Sequence, residues 1–205
     1  PTTIVNGFYG KHKRSVQLGR SQWAIVDMES SIDAMQHLTP TIVVLPDHLS
    51  NENAYLACMQ VLEKMPFYGS IILNNDAAYA GLILKRFRNK VITYSTEDQA
   101  QMYAQDVTMS RFGSIFNVVD KHDGLLGTIK LNLPGTQAIS HAIAAITVAY
   151  RLLHIPFRTI AQSMPKFSGV AYRCEVAGQA HGIMVMQDKG QSLAAIAATL
   201  HTATR

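Results

Sequence analysis

Leu131-Asn132-Leu133-Pro134-Gly135-Thr136-Gln137-Ala138-Ile139-Ser140-His141-Ala142-Ile143-Ala144-Ala145-Ile146 is the stretch on which the fold turns. It reads as the end of a strand, a Pro-Gly break and the opening of a long helix. Ile139, Ile143, Ile146, Tyr150 and Leu153 fall at helical spacing, which predicts a helix over 136–153. Upstream, Met102–Met109, Phe112–Val119 and Leu125–Leu133 alternate apolar and polar residues. Gly113 and Asp123-Gly124 supply turn signals, so a small antiparallel β patch is expected around 102–133. Downstream, Phe157–Met164 reads as a short helix ending before Pro165. Arg173–Ala177 and Gly182–Met186 read as two strands joined at Gly178–His181, and the alanine-rich Ser192–Thr202 as a final helix.

The first half of the chain has a different rhythm. Gln22–Asp27 (QWAIVD) reads as a short buried strand and Thr41–Leu45 (TIVVL) as a second, ended by Pro46. Ser30–Leu38 is a short helix or a loop. Asn51–Met65 reads as a helix with Tyr55, Met59, Leu62 and Met65 on one stripe, stopped at Pro66-Phe67-Tyr68-Gly69. Ser70–Leu73 is a third strand, Ala77–Arg86 a helix and Lys90–Tyr94 a fourth strand. Strands alternating with helices predict an α/β fold with a mostly parallel sheet flanked by helices. No repeat, linker or low-complexity stretch divides the chain, so 1–205 is read as a single domain.

Composition fits this. The chain has 205 residues, 48% hydrophobic and 16% charged, enough to bury a real core. No apolar run approaches the ~18 residues a membrane span needs, and the start lacks the basic-then-apolar pattern of a signal peptide. Two cysteines, Cys58 and Cys174, lie far apart without metal-type spacing, which favours a reducing, cytoplasmic setting, with a single disulfide as the alternative reading. The first residue is Pro, so a processed chain or a piece of something longer is expected. Two basic clusters, Lys11/Lys13/Arg14 and Lys85/Arg86/Arg88/Lys90, suit phosphates or nucleic acid, or are plain solvated surface. No nucleic-acid motif accompanies them, so nucleic acid is not the expected partner.

Several motifs, taken in order, resemble the Mur ligase family. Leu131-Asn132-Leu133-Pro134-Gly135 followed by Ala142-Ile143-Ala144-Ala145 resembles L-x-x-P-G-x-H-N-x-x-N-A-x-A-A. Phe167-Ser168-Gly169-Val170 with Arg173-Cys174-Glu175 resembles F-x-G-x-x-R-R-x-E. Leu62–Gly69 and Thr93-Tyr94 are similar to segments of the UDP-N-acetylmuramate–L-alanine ligase branch. Pro1–Gly7 looks like the strand that follows the family's P-loop helix, and Ala194–Arg205 resembles a segment late in its order. The resemblance implies the central, ATP-binding domain of an Mg- and ATP-dependent ligase of peptidoglycan precursor synthesis. In that family one domain binds a UDP sugar, the central domain ATP and a third the amino acid.

The polar residues depart from the family at each site. A phosphate loop cradles its ligand with backbone N–H groups and a lysine. No G-x-x-x-x-G-K-[ST] occurs in the chain. Gly7-Phe8-Tyr9-Gly10-Lys11-His12-Lys13 has the wrong spacing and reads as a basic loop. Mg²⁺ takes hard oxygen ligands. The resemblance places Asp27 and Glu29 where the family has E-A-D-E-S-D, so these are the candidate metal ligands, against a solvated acidic loop. Asp47-His48 sits four places early for the family's second metal-side motif and reads as a loop leading into a helix. H-N-x-x-N becomes Gln137-Ala138-Ile139-Ser140-His141. Gln137 and His141 remain as candidates for the nucleotide, or they decorate a helix surface. R-R becomes Tyr172-Arg173, and D-D-Y-A-H-H-P becomes Gln187–Leu193. Arg173 and Asp188 complete the nucleotide candidates.

Three readings follow. The chain is a non-catalytic Mur-like domain (a pseudoenzyme or fragment with a binding or structural role). Or it is part of an active ligase whose P-loop lies on another segment. Or it binds anionic ligands or nucleic acid through its basic clusters. No catalytic residue is assigned, and Mg and ATP are expected to be lost or weakened here. Without the P-loop strand, the sheet is expected either to close up or to be completed by a homo-oligomer or another protein segment.

Overall fold

The computed structural model describes residues 3–9, 14–27, 37–46, 52–110, 112–170, 175–181, 183–190, 196–197 and 199–200. Its centre is a six-stranded sheet. Ile42–Leu45 (β4), Ser70–Asn74 (β5), Val91–Ser95 (β6), Met102–Ser110 (β7), Gly113–Asp120 (β8) and Gly124–Leu131 (β9) lie side by side in chain order. β4 to β7 run parallel. β7–β8 and β8–β9 are antiparallel hairpins, so β7 is where direction switches. The predicted parallel sheet with an antiparallel patch is found, as one continuous sheet.

Alternation along each strand sends neighbouring residues to opposite faces. On one face Ile71, Leu73 and Val91 join Leu45, Cys58, Leu62, Met65, Ala80 and Ile83 in one core. It is roofed by helix α1 (Glu52–Lys64) and helix α2 (Ala80–Phe87). On the other face Ile72, Tyr94, Met102, Phe116, Val118, Ile129 and Leu131 pack against Ile139, Ile143, Ile146 and Ile160. These isoleucines belong to helices α3 (Thr136–Thr147) and α4 (Phe157–Ser163). The result is three layers, helix, sheet and helix. The stripe expected on α1 is partly right: Leu62 and Met65 are buried, while Tyr55 and Met59 only border that core.

The 136–153 helix does not stay regular. After Thr147 it widens into a π turn over Val148–Leu152, with the Leu153 N–H donating to the Val148 carbonyl at 3.1 Å. α2 starts later than the sequence suggests, at Ala80, and Met164–Lys166 adds a 3₁₀ turn after α4.

Thr3–Tyr9 (β1), Arg14–Gln17 (β2) and Ala24–Val26 (β3) form a separate three-stranded sheet in the order β2-β1-β3. β1 pairs antiparallel with β2 and parallel with β3. Three expectations are corrected here. Gln22–Asp27 is not a buried strand: β3 is three residues long and every residue in it is exposed. Its apolar residues are exposed among the described residues, so the pattern alone misleads. Gly7, Phe8 and Tyr9 belong to strand β1, and not to a basic loop. Nor is the sheet closed up: among the described residues, β3 and β4 end different sheets.

Glu175–Ala180 (β10) and Ile183–Gln187 (β11) form the expected hairpin. Its turn lies later than expected, because the strand continues through Gly178–Ala180 and His181 takes the positive φ of 50°. Residues 196–197 and 199–200 are helical; the rest of the expected final helix lies outside the described residues, as do Ser30–Gln36 and Asp47-His48. No helix among the described residues is long and apolar enough to cross a membrane.

Candidate functional site

Parallel α/β sheets present ligands at the carboxyl ends of their strands. Here those ends are Leu45, Asn74 and Ser95. Asn74 is buried, and its Nδ2 donates to Ser140 Oγ at 3.2 Å, tying β5 to the first half of α3. Its Oδ1 accepts from the Asp76 N–H at 2.8 Å, which fixes the turn leaving the strand. Ser95 Oγ donates to Asp76 Oδ2 at 2.7 Å and accepts from the Glu97 N–H at 2.9 Å. The buried Tyr94 hydroxyl donates to the Leu45 carbonyl at 3.3 Å, and the Tyr79 hydroxyl donates to that of Pro46. Asn74 thus ties β5 to α3, Tyr94 ties β6 to the end of β4, and Ser95 ties β6 to the turn after β5.

The helix arrives here because Gly135 takes φ 93°, a conformation that L side chains rarely adopt, directly after Pro134. The N-cap residue Gly135 has no side chain to cap α3, and the first-turn N–H groups of a helix have no partner within the helix itself. Gln137, half-buried, and His141, exposed, stand one turn apart on this helix. The arrangement offers hydrogen-bond donors and an amide to a polar ligand.

A second polar cluster lies at the β8–β9 turn. Buried Asp120 accepts from Arg151 Nη1 at 3.2 Å on both carboxylate oxygens, and its Oδ1 also takes the His122 N–H at 2.7 Å. Asp123 bonds His122 Nδ1 at 2.6 Å and the Tyr150 hydroxyl at 2.9 Å. The bond with His122, then that from Tyr150, holds the Asp123 carboxyl below the ordinary carboxylate range, and the bond to Asp123 raises the Tyr150 phenol. Tyr150 and Arg151 come from the π turn. Elsewhere, burial on the sheet-facing side of α1 pushes the Cys58 thiol up to about 11.

The residues predicted from sequence are not gathered in one place. Gln137 and His141 lie together on α3. Asp27, exposed, follows β3 in the separate sheet. Asp188 follows β11, where its Oδ1 accepts the Gly190 N–H at 2.6 Å. Glu29 and Arg173 lie outside the described residues. Among the described residues no three His, Cys, Asp or Glu side chains are grouped to hold a metal ion. Sequence reasoning passed over Asn74, Asp76, Ser95 and Ser140. For Asn74, Asp76 and Ser95 the signal was their position at or after the end of an apolar strand, which does not distinguish a site residue from a turn residue, and Ser140 reads as an ordinary polar position on a helix.

The strand ends and the helix start define a helix-flanked α/β domain with a polar platform at the carboxyl edge of its sheet. The chain belongs to the Mur ligase middle domain family, which matches residues 44–149, just over half of it. A UDP-N-acetylmuramate--L-alanine ligase from Geobacter sp. (strain M21) is 34% identical over 212 residues, covering 99% of this chain and 45% of the relative. One from Solibacter usitatus is 34% identical over 209 residues, with 98% and 44% covered. The chain therefore spans less than half the length of these curated relatives. Among solved structures, UDP-N-acetylmuramate-alanine ligase MurC from Thermotoga maritima superposes with a TM-score of 0.77 at 17% identity, covering 99% of this chain and 47% of that one. MurF ligase from the same organism, in complex with ADP, gives 0.72 at 13% identity, covering 100% and 51%. These two likenesses speak for the fold alone.

The family implies Mg and ATP. The 205 residues contain no G-x-x-x-x-G-K-[ST] motif, Asp27 follows a strand of the three-stranded sheet while Gln137 and His141 lie on a helix packed against the six-stranded one, and the position equivalent to a family asparagine is Ala138.

Proposed function

We propose that this chain is a Mur-ligase-type central domain, related to ATP-dependent amino-acid ligation in peptidoglycan precursor synthesis, that does not bind or turn over ATP by itself. The observation carrying this is a contrast within α3. Its apolar residues Ile139, Ile143 and Ile146 pack in the core, while the polar positions of its first turns hold Gln137, Ala138 and His141. Packing is kept where adenine-binding groups are not. A binding or structural role in a bacterial cytoplasm goes with this reading.

The test is thermal melting and calorimetric titration of the 205-residue chain with millimolar Mg-ATP. An unchanged melting temperature and no heat of binding are expected, since a ligand that binds only the folded state raises stability. A rise of several degrees overturns the reading.

A second reading is an active ligase whose P-loop lies on another segment. It is favoured by the exposed β3 edge, the terminal β4 edge and the fraction of the relatives that the chain spans. On that reading a further strand, from another segment or a second copy, completes the sheet. Adding in trans the segment of a relative that carries its phosphate loop separates the two: an ATP-dependent rise in melting temperature then favours the second.

A further inference from the structure

Helix α3 and the turn that continues it are tied to the sheet at two separate places. Near the start, the Asn74 Nδ2 donates to Ser140 Oγ at 3.2 Å. At the far end, the Tyr150 hydroxyl donates to Asp123 at 2.9 Å and Arg151 Nη1 to both oxygens of Asp120 at 3.2 Å. At about 1.5 Å per residue the two anchors stand roughly 16 Å apart along the axis. Between them Ile143, Ile146 and Thr147 are fully buried, so this stretch shifts as a unit.

The second anchor depends on the π turn over Val148–Leu152. A π turn closes i→i+5 bonds where an α-helix closes i→i+4, so it holds one residue more than the turn it replaces. Its own sequence, Val-Ala-Tyr-Arg-Leu, has no proline or glycine to demand it. The one local weakness is Thr147, whose Oγ1 donates to the Ile143 carbonyl at 2.7 Å and so competes with the helix ladder. The acceptor side, in contrast, is set in advance. Asp120 is buried at the end of β8, and its Oδ1 takes the His122 N–H at 2.7 Å and the Asp123 N–H at 3.3 Å. The wider turn is therefore held from outside, by two carboxylates of the β8–β9 turn. Beyond it Phe157 lies against Gly127 and Ile160 is buried, so α4 does not absorb a change in the turn alone.

We propose that Val148–Leu152 is a two-state joint that sets the register of α3, so that Asp120 and Asp123 at the far end position Ser140, Gln137 and His141 at the platform. With the latch closed the turn is π and Ser140 stands on Asn74. With it open the turn relaxes to α-helical, α3 shifts by up to one residue, and the bond to Asn74 is lost. Asp120, Asp123, Tyr150 and Arg151 are positioning residues, since they act on the platform only through the helix. Coupling between two sites is reciprocal, so a molecule that draws Ser140 away from Asn74 also loosens the latch. This holds whether or not that molecule is a nucleotide.

The test is a double-mutant cycle on the 205-residue chain, pairing Asp120→Asn with Ser140→Ala. Sites this far apart without a shared partner lose stability additively. Here the unfolding equilibrium constant of the double variant, from urea denaturation, should depart from the product of the single effects by about fivefold. Tyr150→Phe removes one bond from the exposed side of the latch and keeps the cycle measurable if Asp120→Asn does not fold. The NMR signal of the Asn74 side-chain amide gives a second readout, and it should move in Tyr150→Phe. Ile83→Val, in the core on the opposite face of the sheet, lowers stability without touching α3 and should leave that signal in place. Additivity within about twofold overturns the proposal. So does an Asn74 signal that stays put in Tyr150→Phe, or one that moves equally in Ile83→Val.

Discussion

At the scale of single residues, the contact between Asp120 and Arg151 has most at stake. Asp120 is buried at the end of β8, and Arg151 is the cation that faces it. Removing one partner of a buried pair leaves a charge without compensation. Arg151→Met should therefore destabilise the fold by about 2 kcal/mol, toward the lower side because the arginine keeps partial contact with water. Urea denaturation measures this, and a loss within error of zero would show that water replaces the guanidinium. Asp123, next in the cluster, governs a pH effect. Its carboxyl is depressed in the folded state, first by the bond with His122 and then by that from Tyr150. A depressed acid adds stability above its unfolded value, and that stability disappears as pH falls through the folded one. Melting temperature followed downward from neutral pH should drop less steeply for Asp123→Asn than for the parent in the acid range; parallel curves would count against the cluster.

At the scale of elements, the meander β7–β9 and helix α3 were the most legible parts, and for definite reasons. Alternation in the meander matches a sheet with unlike faces, and Ile139, Ile143 and Ile146 mark the helix by spacing alone. Two features escaped notice because no local pattern encodes them. The π turn over Val148–Leu152 lets Tyr150 and Arg151 reach the β8–β9 turn, so its cause is a tertiary contact. β2 is held by pairing with β1, and its own sequence is too short to announce a strand. The candidate site was legible only along α3, where Gln137 and His141 share one helix. Asp27 and Asp188 follow strands of two other sheets, and sequence order could not reveal that separation. Within β9, Gly127 has φ 139°, and a Cβ there would meet Phe157 Cε1 at 2.9 Å. Strain and overlap act together, so Gly127→Ala should cost about 2 kcal/mol. Thermal or urea melting checks it, and a neutral result would mean that α4 shifts freely from the strand.

At the scale of the whole molecule, two sheets differ in how much covers them. β5, β6 and β8 lie in a sheet packed between helices, with Ile71, Ile72, Tyr94 and Phe116 fully buried. β3 is exposed throughout, and Val16 and Ile25 face solvent. Local opening follows cover. Native-state hydrogen exchange should find the amides of β5, β6 and β8 slow and those of β1–β3 fast, and equal protection in both sheets would contradict this. The reversal of direction at β7 carries one more consequence, for the order of assembly. On its later side, hairpins and a following helix close contacts between near neighbours in the chain; on its earlier side, each parallel pairing waits for a crossover helix to return. The C-terminal side of β7 is therefore expected to assemble first, with the strands made earlier in synthesis docking onto a template made after them; pulse-labelled hydrogen exchange during refolding checks this, and earlier protection of β4–β6 would contradict it.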